Sequence, residues 1–319
     1  MLNNDNRGAT PRRVIYNFVG RCNMACTFCY VPFDDRPSEA VKAAAVLRRV
    51  LAWDIEGLVI GGGDPLMYDY VPDLISMARS TNPNLFIQLD TNAIGASSDR
   101  LVRIAHSIDL IGLPVDGLSP KVCAAMRRRA THGLEMIALA GNLARHGCAV
   151  KINTVISRLN LPEVSRIGCA VEKSGAKIWS LYQFWPIGPI AQSNARLHEV
   201  SISEFDHTVQ DQVRKGSGIV VENSGAISAR AGSYFFVAPT GRAFCTTPSG
   251  DEFIELGDLL VDENEVVRRW REYSDLKRNR ERSAQRARVI RCRRCAQLDC
   301  AVRVFPSLFV DAPGCPPAP

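Results

Sequence analysis

The sequence predicts an α/β fold built on a parallel sheet, and two observations carry the prediction. Six short apolar runs recur between residues 14 and 184, and helical patterns fill the intervals between them. Strands that alternate with helices join as right-handed β-α-β units, which lay their strands side by side in one direction.

In chain order, the strands are expected at 14–18 (VIYNF), 57–60 (GLVI), 85–90 (LFIQLD), 109–114 (DLIGLP), 149–155 (AVKINTV) and 177–184 (KIWSLYQF). Helices are expected near 38–52, 69–79, 99–106, 133–146 and 161–174. A closed eight-unit barrel needs two more repeats than the chain shows.

Composition fits one large domain with an appendage. At 319 residues, 46% hydrophobic and 23% charged, the chain can bury a full core. The opening MLNNDNRGATPRR has no apolar segment of the kind that directs export, and no apolar run is long enough to span a membrane. Eleven cysteines in such a chain point to metal ligation in a reducing cytosol, so the expected location is cytoplasmic and disulfides are not expected. The net charge of +6 comes more from arginine than lysine and is concentrated after Arg268. The run 268–294 offers a grip for nucleotide phosphates, RNA or an acidic redox partner, but most such runs are solvated helix faces. Its only aromatics are Trp270 and Tyr273, too sparse to stack bases, so nucleic acid is not the expected partner.

The chemistry concentrates in one loop. Cys22, Cys26 and Cys29 read C-x3-C-x2-C, are followed by Tyr30, and come just after the first strand. Three thiolates can hold three irons of a 4Fe-4S cube and leave the fourth iron open to a ligand. A fourth cysteine nearby would close the cube, and none lies between Cys29 and Cys123. The alternative is a zinc knuckle, but zinc in a structural site takes four N or S ligands, and no histidine precedes His106.

A second motif stands at the end of the second strand, where 57–60 runs into Gly61, Gly62, Gly63, Asp64 and Pro65. Glycines there let a ligand approach the backbone, beyond what a tight turn needs.

Together the two motifs resemble the radical S-adenosylmethionine (SAM) superfamily, whose second strand ends in Gly-Gly-Glu-Pro and receives the SAM amino group. Asp64 stands in place of the glutamate, so a backbone role is expected to survive better than a side-chain one. The resemblance implies a partial (β/α)6 barrel over 10–215, with the site at the carboxyl ends of the strands. It also implies a small cysteine-bearing C-terminal extension over 216–319. Its cofactors are a 4Fe-4S cluster on Cys22, Cys26 and Cys29 and SAM itself, and Tyr30, Gly62, Gly63 and Asp64 fall on the cofactor side.

The other strand ends carry polar residues where that architecture places SAM and substrate. Asn92 follows the third strand, Asp116 the fourth, and Lys151, Asn153 and Arg158 lie in the fifth-strand segment KINTVISRLN. Lys151 and Asn153 alternate by two, so they share one strand face, turned inward if Ile152 faces the helices. Asn92, Asp116, Asn153 and Arg158 are expected to bind cofactor and Lys151 substrate. Each also has a plain alternative as a turn former or a solvated charge.

The resemblance narrows further. KINTVISRLN, then SLYQFWPIG, then SYFFVAPTGRAFC follow an order similar to that of viperin-type enzymes, which convert CTP to a dideoxy-didehydro nucleotide. The positions seven and five residues before the first cluster cysteine hold Asn and His in that family, and Ile15 and Asn17 here. The tail resembles a degenerate SPASM or Twitch domain, in which Cys292, Cys295 and Cys300, with Cys315 or Cys245 as fourth ligand, would hold an auxiliary 4Fe-4S cluster. The same four thiolates would also satisfy zinc. Cys123, Cys148 and Cys169 read as small buried hydrophobes.

The resemblance implies that the reduced cluster passes one electron to SAM. A carbon-sulfur bond then breaks, and a 5′-deoxyadenosyl radical removes a hydrogen atom from an unactivated carbon. The expected substrate is a small polar metabolite such as a nucleotide or sugar derivative, and the expected electron donor is of flavodoxin or ferredoxin type. A peptide maturase is the rival enzyme reading, disfavoured because only residues 1–13 precede the first strand. A non-catalytic iron-sulfur or zinc scaffold leaves the glycine run and the polar strand ends unexplained.

Overall fold

The computed structural model describes residues 10–34, 38–127, 129–214, 219–225 and 227–281. Six parallel strands appear where the apolar runs predict them: β1 Arg13–Phe18, β2 Gly57–Gly62, β3 Phe86–Asp90, β4 Leu110–Pro114, β5 Val150–Ile156 and β6 Ile178–Gln183. They are crossed over by α1 Ala40–Leu51, α2 Val71–Thr81, α3 Ser98–Ser107, α4 Pro120–Arg127, α5 His132–Arg145 and α6 Val164–Lys173. Short helices α7 Pro189–Ser193 and α8 Ala195–His198 precede α9 Ile202–Arg214.

Period-two alternation sorts the side chains. Leu58, Ile60, Ile87, Leu89, Ile111, Leu113, Ile152 and Leu181 face the helical layer and join one buried core with Leu47, Leu74, Leu101 and Ile167 of the helices. Burying each such side chain contributes about 1.5–3 kcal/mol. The opposite face, from Ile15 and Val59 round to Lys151 and Asn153, lines a concave cavity. A hydrogen bond of 2.7 Å from the Tyr16 hydroxyl to the carbonyl of Ala43 ties β1 to α1. Ser97 caps α3 by accepting from the amide of Arg100.

The sheet exceeds the six-strand expectation. β7 Val220–Ser224 adds beside β6, and β8 Phe236–Val237 pairs parallel to β1. The antiparallel strands β9 Arg242–Thr246 and β10 Phe253–Asp258 complete the order β10-β9-β8-β1-β2-β3-β4-β5-β6-β7. The strands β7 to β10 therefore widen the same open sheet on both flanks. β7 and β8 escape sequence reading because one ends in polar residues and the other is two residues long, so neither shows a periodic run.

After α10 Ile227–Arg230 comes the longer helix α11 Glu263–Tyr273. It is capped by Asp262 and joined to the end of α1 by the Trp53 indole donating to Glu263 at 2.7 Å. Arg268, at the start of the arginine-dense run, is exposed and paired with Glu265 and Glu272 on its own helix, as a solvated face would be. Among the described residues, no helix is long and apolar enough to cross a membrane.

One smaller expectation needs correction. Cys123 and Cys148 are buried as expected, but Cys169 is exposed, because its position on α6 falls outside the stripe of Val164, Ile167 and Val171. Cys245 is completely buried in the core on β9, opposite Ile254. Cys292, Cys295, Cys300 and Cys315 lie outside the described residues.

Candidate active site

The carboxyl ends of β1 to β6 open onto a cavity of about 760 Å³. The cysteine loop forms one wall, with Cys22, Cys26 and Cys29 all contributing. Gly61, Gly62 and Gly63 form the adjacent edge. Their lack of side chains has a direct cause in packing. A Cβ on Gly63 would stand 1.9 Å from the carbonyl oxygen of Arg21, and one on Gly62, whose φ is +107°, would stand 2.4 Å from the amide of Phe18. The amides of Gly63 and Asp64 donate to the carbonyls of Phe18 and Arg21 at 2.6 and 2.9 Å. The glycine run thus seats the base of the cysteine loop against β2.

The donor chemistry around the three sulfurs fits an iron-sulfur cluster. Arg127 donates from Nη1 to Cys26 Sγ at 3.2 Å, and the Met24 amide and Asn92 Nδ2 donate to Cys22 Sγ at 3.4 and 3.8 Å. Such N–H groups stabilise negative charge on cluster ligands. Burial, and secondarily the nearby Cys26, pushes the Cys29 thiol up to about 12, and burial also raises Cys22. A coordinating metal reverses that preference and holds the thiolate. Among the described residues no three His, Cys, Asp or Glu side chains are gathered tightly enough to hold a single metal ion. A cube does not require this, because each of its cysteines takes a different iron.

Tyr30, Asn92, Lys151 and Asn153 line the cavity. The Tyr30 hydroxyl is pushed above its ordinary range by burial and by neighbouring Cys29, Asp90, Tyr234 and Tyr182. Asn92 Nδ2 also donates to Asn23 at 2.8 Å, and its own amide donates to Asp64 at 2.7 Å. Lys151 is 1% exposed and donates to the Tyr182 hydroxyl at 2.9 Å.

Three expected cofactor residues stand elsewhere. Asp64 is turned away from the cavity, and its carboxylate accepts from the Leu66 and Asn92 amides and the Thr91 hydroxyl. The shorter side chain serves as a buried staple between the second and third strand ends. Burial raises its pKa even against those hydrogen bonds. Asp116 is likewise sequestered, accepting from Arg127 and from the Val155 amide. Arg158 is exposed beyond the end of β5 and is not part of the cavity wall, since two residues of turn carry it past the rim.

Other cavity residues carry no motif. Phe28, between Cys26 and Cys29, lies under the Arg127 guanidinium at 4.7 Å. Gln88, Asp90, Tyr182 and Arg230 also line the cavity. Gln88 and Asp90 alternate by two on β3, the pattern that singles out Lys151 and Asn153 on β5.

The comparisons agree with this geometry. Residues 16–164 match the model of the Radical SAM superfamily. An S-adenosylmethionine-dependent nucleotide dehydratase of Lacinutrix mariniflava is 26% identical over 238 residues, 70% of this chain and 48% of that protein. A pre-heme d1 synthase of Dinoroseobacter shibae is 32% identical over 171 residues, 50% of this chain and 41% of that protein. The chain thus spans about half the length of the curated relatives it matches. Among solved structures, Streptococcus suis SuiB bound to S-adenosylmethionine superposes with a TM-score of 0.66 at 15% identity, covering 84% of this chain and 66% of that one, which is a likeness of fold. With the three-cysteine loop, the glycine edge and the parallel half-barrel in place, residues 16–164 form a Radical SAM superfamily domain.

Proposed function

We propose that this enzyme acts on a small, anionic, nucleotide-like metabolite held inside the half-barrel. The observation that carries the reading is the joint lining of one cavity by the three cysteines and by the inward pair Lys151 and Asn153. Cys22, Cys26 and Cys29 would hold the 4Fe-4S cluster, and the Gly61 to Gly63 edge, Tyr30, Asn92 and Arg127 would bound the space for SAM. When bound, the cluster and SAM supply a 5′-deoxyadenosyl radical that removes a hydrogen atom from an unactivated substrate carbon.

The remaining work is positioning. Arg127 presents a fixed positive charge beside Cys26. Lys151, buried with a neutral hydroxyl as its hydrogen-bond partner, offers its charge to an anionic substrate group. Apolar Ile15, Val59, Phe28 and Phe236 shield the centre from water. The nucleotide dehydratase relative supports the substrate class. A second centre on Cys292, Cys295 and Cys300 with Cys315 or Cys245, iron-sulfur or zinc, belongs to the same proposal, as do a flavodoxin or ferredoxin-type donor and a cytoplasmic setting.

Isotope transfer tests the substrate class. Anaerobically reconstituted enzyme is given SAM, dithionite and, in turn, each ribonucleotide perdeuterated on ribose. Deuterium in the released 5′-deoxyadenosine is expected with one of them. Absence of transfer from every nucleotide overturns the substrate class.

A further inference from the structure

Two opposite charges on the cavity wall do not meet. Asp90 on β3 is in register with Gly112 on β4, and Gly112 with Lys151 on β5. The charged residues are therefore two strands apart, roughly 10 Å between backbones. Gly112 keeps the space between them open. A Cβ there would stand 1.9 Å from Asp90 Oδ1 and 3.0 Å from Asn153 Nδ2, so the carboxylate leans into room that only glycine leaves.

Neutral groups hold each charge in place. Gln88 Nε2 donates to both Asp90 oxygens, at 2.9 and 2.8 Å, and Asn153 Nδ2 donates to Oδ1 at 3.2 Å. Among the described residues no cation pairs with Asp90, and no carboxylate pairs with Lys151, whose ammonium donates to Tyr182. Asn153 Oδ1 is buried without a hydrogen-bond partner. Amides and a hydroxyl orient charges but do not cancel them, and charge withdrawn from water without a counter-charge is costly.

The acceptor arithmetic is specific. Asp90 Oδ1 already receives two donors and Oδ2 one, which leaves Oδ2 and the orphan Asn153 Oδ1 as neighbouring acceptors with spare capacity. A hydroxyl would fill these acceptors but leave the carboxylate charge uncompensated. A primary ammonium brings three N–H donors and the missing positive charge. We infer that Asp90 and Asn153 form a subsite for a primary ammonium group of the substrate, while Lys151 receives an anionic group of the same molecule. The substrate class is then an amine-bearing anionic metabolite, such as an amino sugar phosphate or an amino-bearing nucleotide. The inference rests on reading the cavity as a small-metabolite site.

A matched pair of probes tests it without turnover. Binding of D-glucosamine 6-phosphate and D-glucose 6-phosphate to the reconstituted full chain is measured by ligand-observed NMR under anaerobic conditions. The amine-bearing probe is expected to bind about tenfold tighter, the increment of a charge-assisted hydrogen bond. Asp90→Asn removes that preference, Asp90→Glu restores part of it, and Lys151→Met weakens both probes. Equal binding, no binding of either probe, or a preference that survives Asp90→Asn overturns the subsite. If the Asp90 variants do not fold, the comparison on the unsubstituted protein alone decides. Release of 5′-deoxyadenosine is independent of this binding, so failure of the subsite and failure of the enzyme reading are separable.

Discussion

Arg127 donates from Nη1 to the sulfur of Cys26 at 3.2 Å, across 101 residues of sequence. Its Nε and Nη2 are held by the buried carboxylate of Asp116, and its guanidinium lies over Phe28. Coulombic attraction to Asp116 and Cys26 keeps the side chain protonated against the cost of burial. A permanent positive charge is thereby fixed beside one of the three cluster cysteines.

Replacing Arg127 by Lys keeps the charge but loses the planar fork that binds Asp116 and Cys26 together. Iron content is expected to hold, while 5′-deoxyadenosine release falls about tenfold or more, the loss of one charge-assisted hydrogen bond. Full activity in Arg127→Lys would show that charge alone suffices.

Lys151→Met removes a buried ammonium that has no carboxylate partner among the described residues. The thermal midpoint is expected to stay level or rise, since the apolar chain avoids the desolvation cost. Deuterium transfer from nucleotide is expected to drop about tenfold or more, as it also does in Asn153→Ala. Unaltered transfer in both variants contradicts their placement at the substrate.

Gly63→Ala tests the seating of the cysteine loop. The added methyl meets the carbonyl of Arg21 at 1.9 Å, and backbone on both sides leaves it no room. A loss of about 1–3 kcal/mol is expected, together with reduced iron loading on reconstitution. Chemical unfolding and iron analysis read the two effects, and wild-type values for both contradict the packing argument.

Two buried histidines set a pH dependence. Burial lowers the pKa of His132, helped by Arg127, and burial also lowers that of His198. His198 sits between the hydroxyls of Ser157 and Thr27 at 2.8 and 2.9 Å, and His132 reaches the Asn92 carbonyl at 3.2 Å. Above 6.5, the ordinary histidine value, both forms of the protein are neutral at these sites and stability is undiminished. As pH falls below it, the unfolded chain takes protons first and stability declines toward the lowered folded values. The unfolding midpoint is therefore expected to be lower at about pH 5.5 than at about pH 7.5, with a smaller difference in His198→Gln. A flat profile between those values contradicts the burial assignment.

The parallel core was legible because each strand from β1 to β6 is an apolar run whose period-two partner face packs on helices. The inward direction of Lys151 and Asn153 followed from the same periodicity. Gln88 and Asp90 carried that signal too, but sat in a strand read only for its apolar residues. Arg127 had no local signal, since a lone arginine on a helix looks solvated until the fold brings Cys26 and Asp116 to it. Asp64 and Asp116 were recognised as polar strand ends, yet their carboxylates are consumed by backbone amides and by Arg127. Sequence position places such residues at the rim but does not tell which way the carboxylate turns.

The central claim is that Cys22, Cys26 and Cys29 carry the chemistry of a radical SAM enzyme. Its most direct test is 5′-deoxyadenosine release from SAM under dithionite, comparing reconstituted protein with the triple variant Cys22→Ala, Cys26→Ala, Cys29→Ala. The account predicts release by the unsubstituted protein and none above the dithionite background by the variant. Equal release by the two would contradict it.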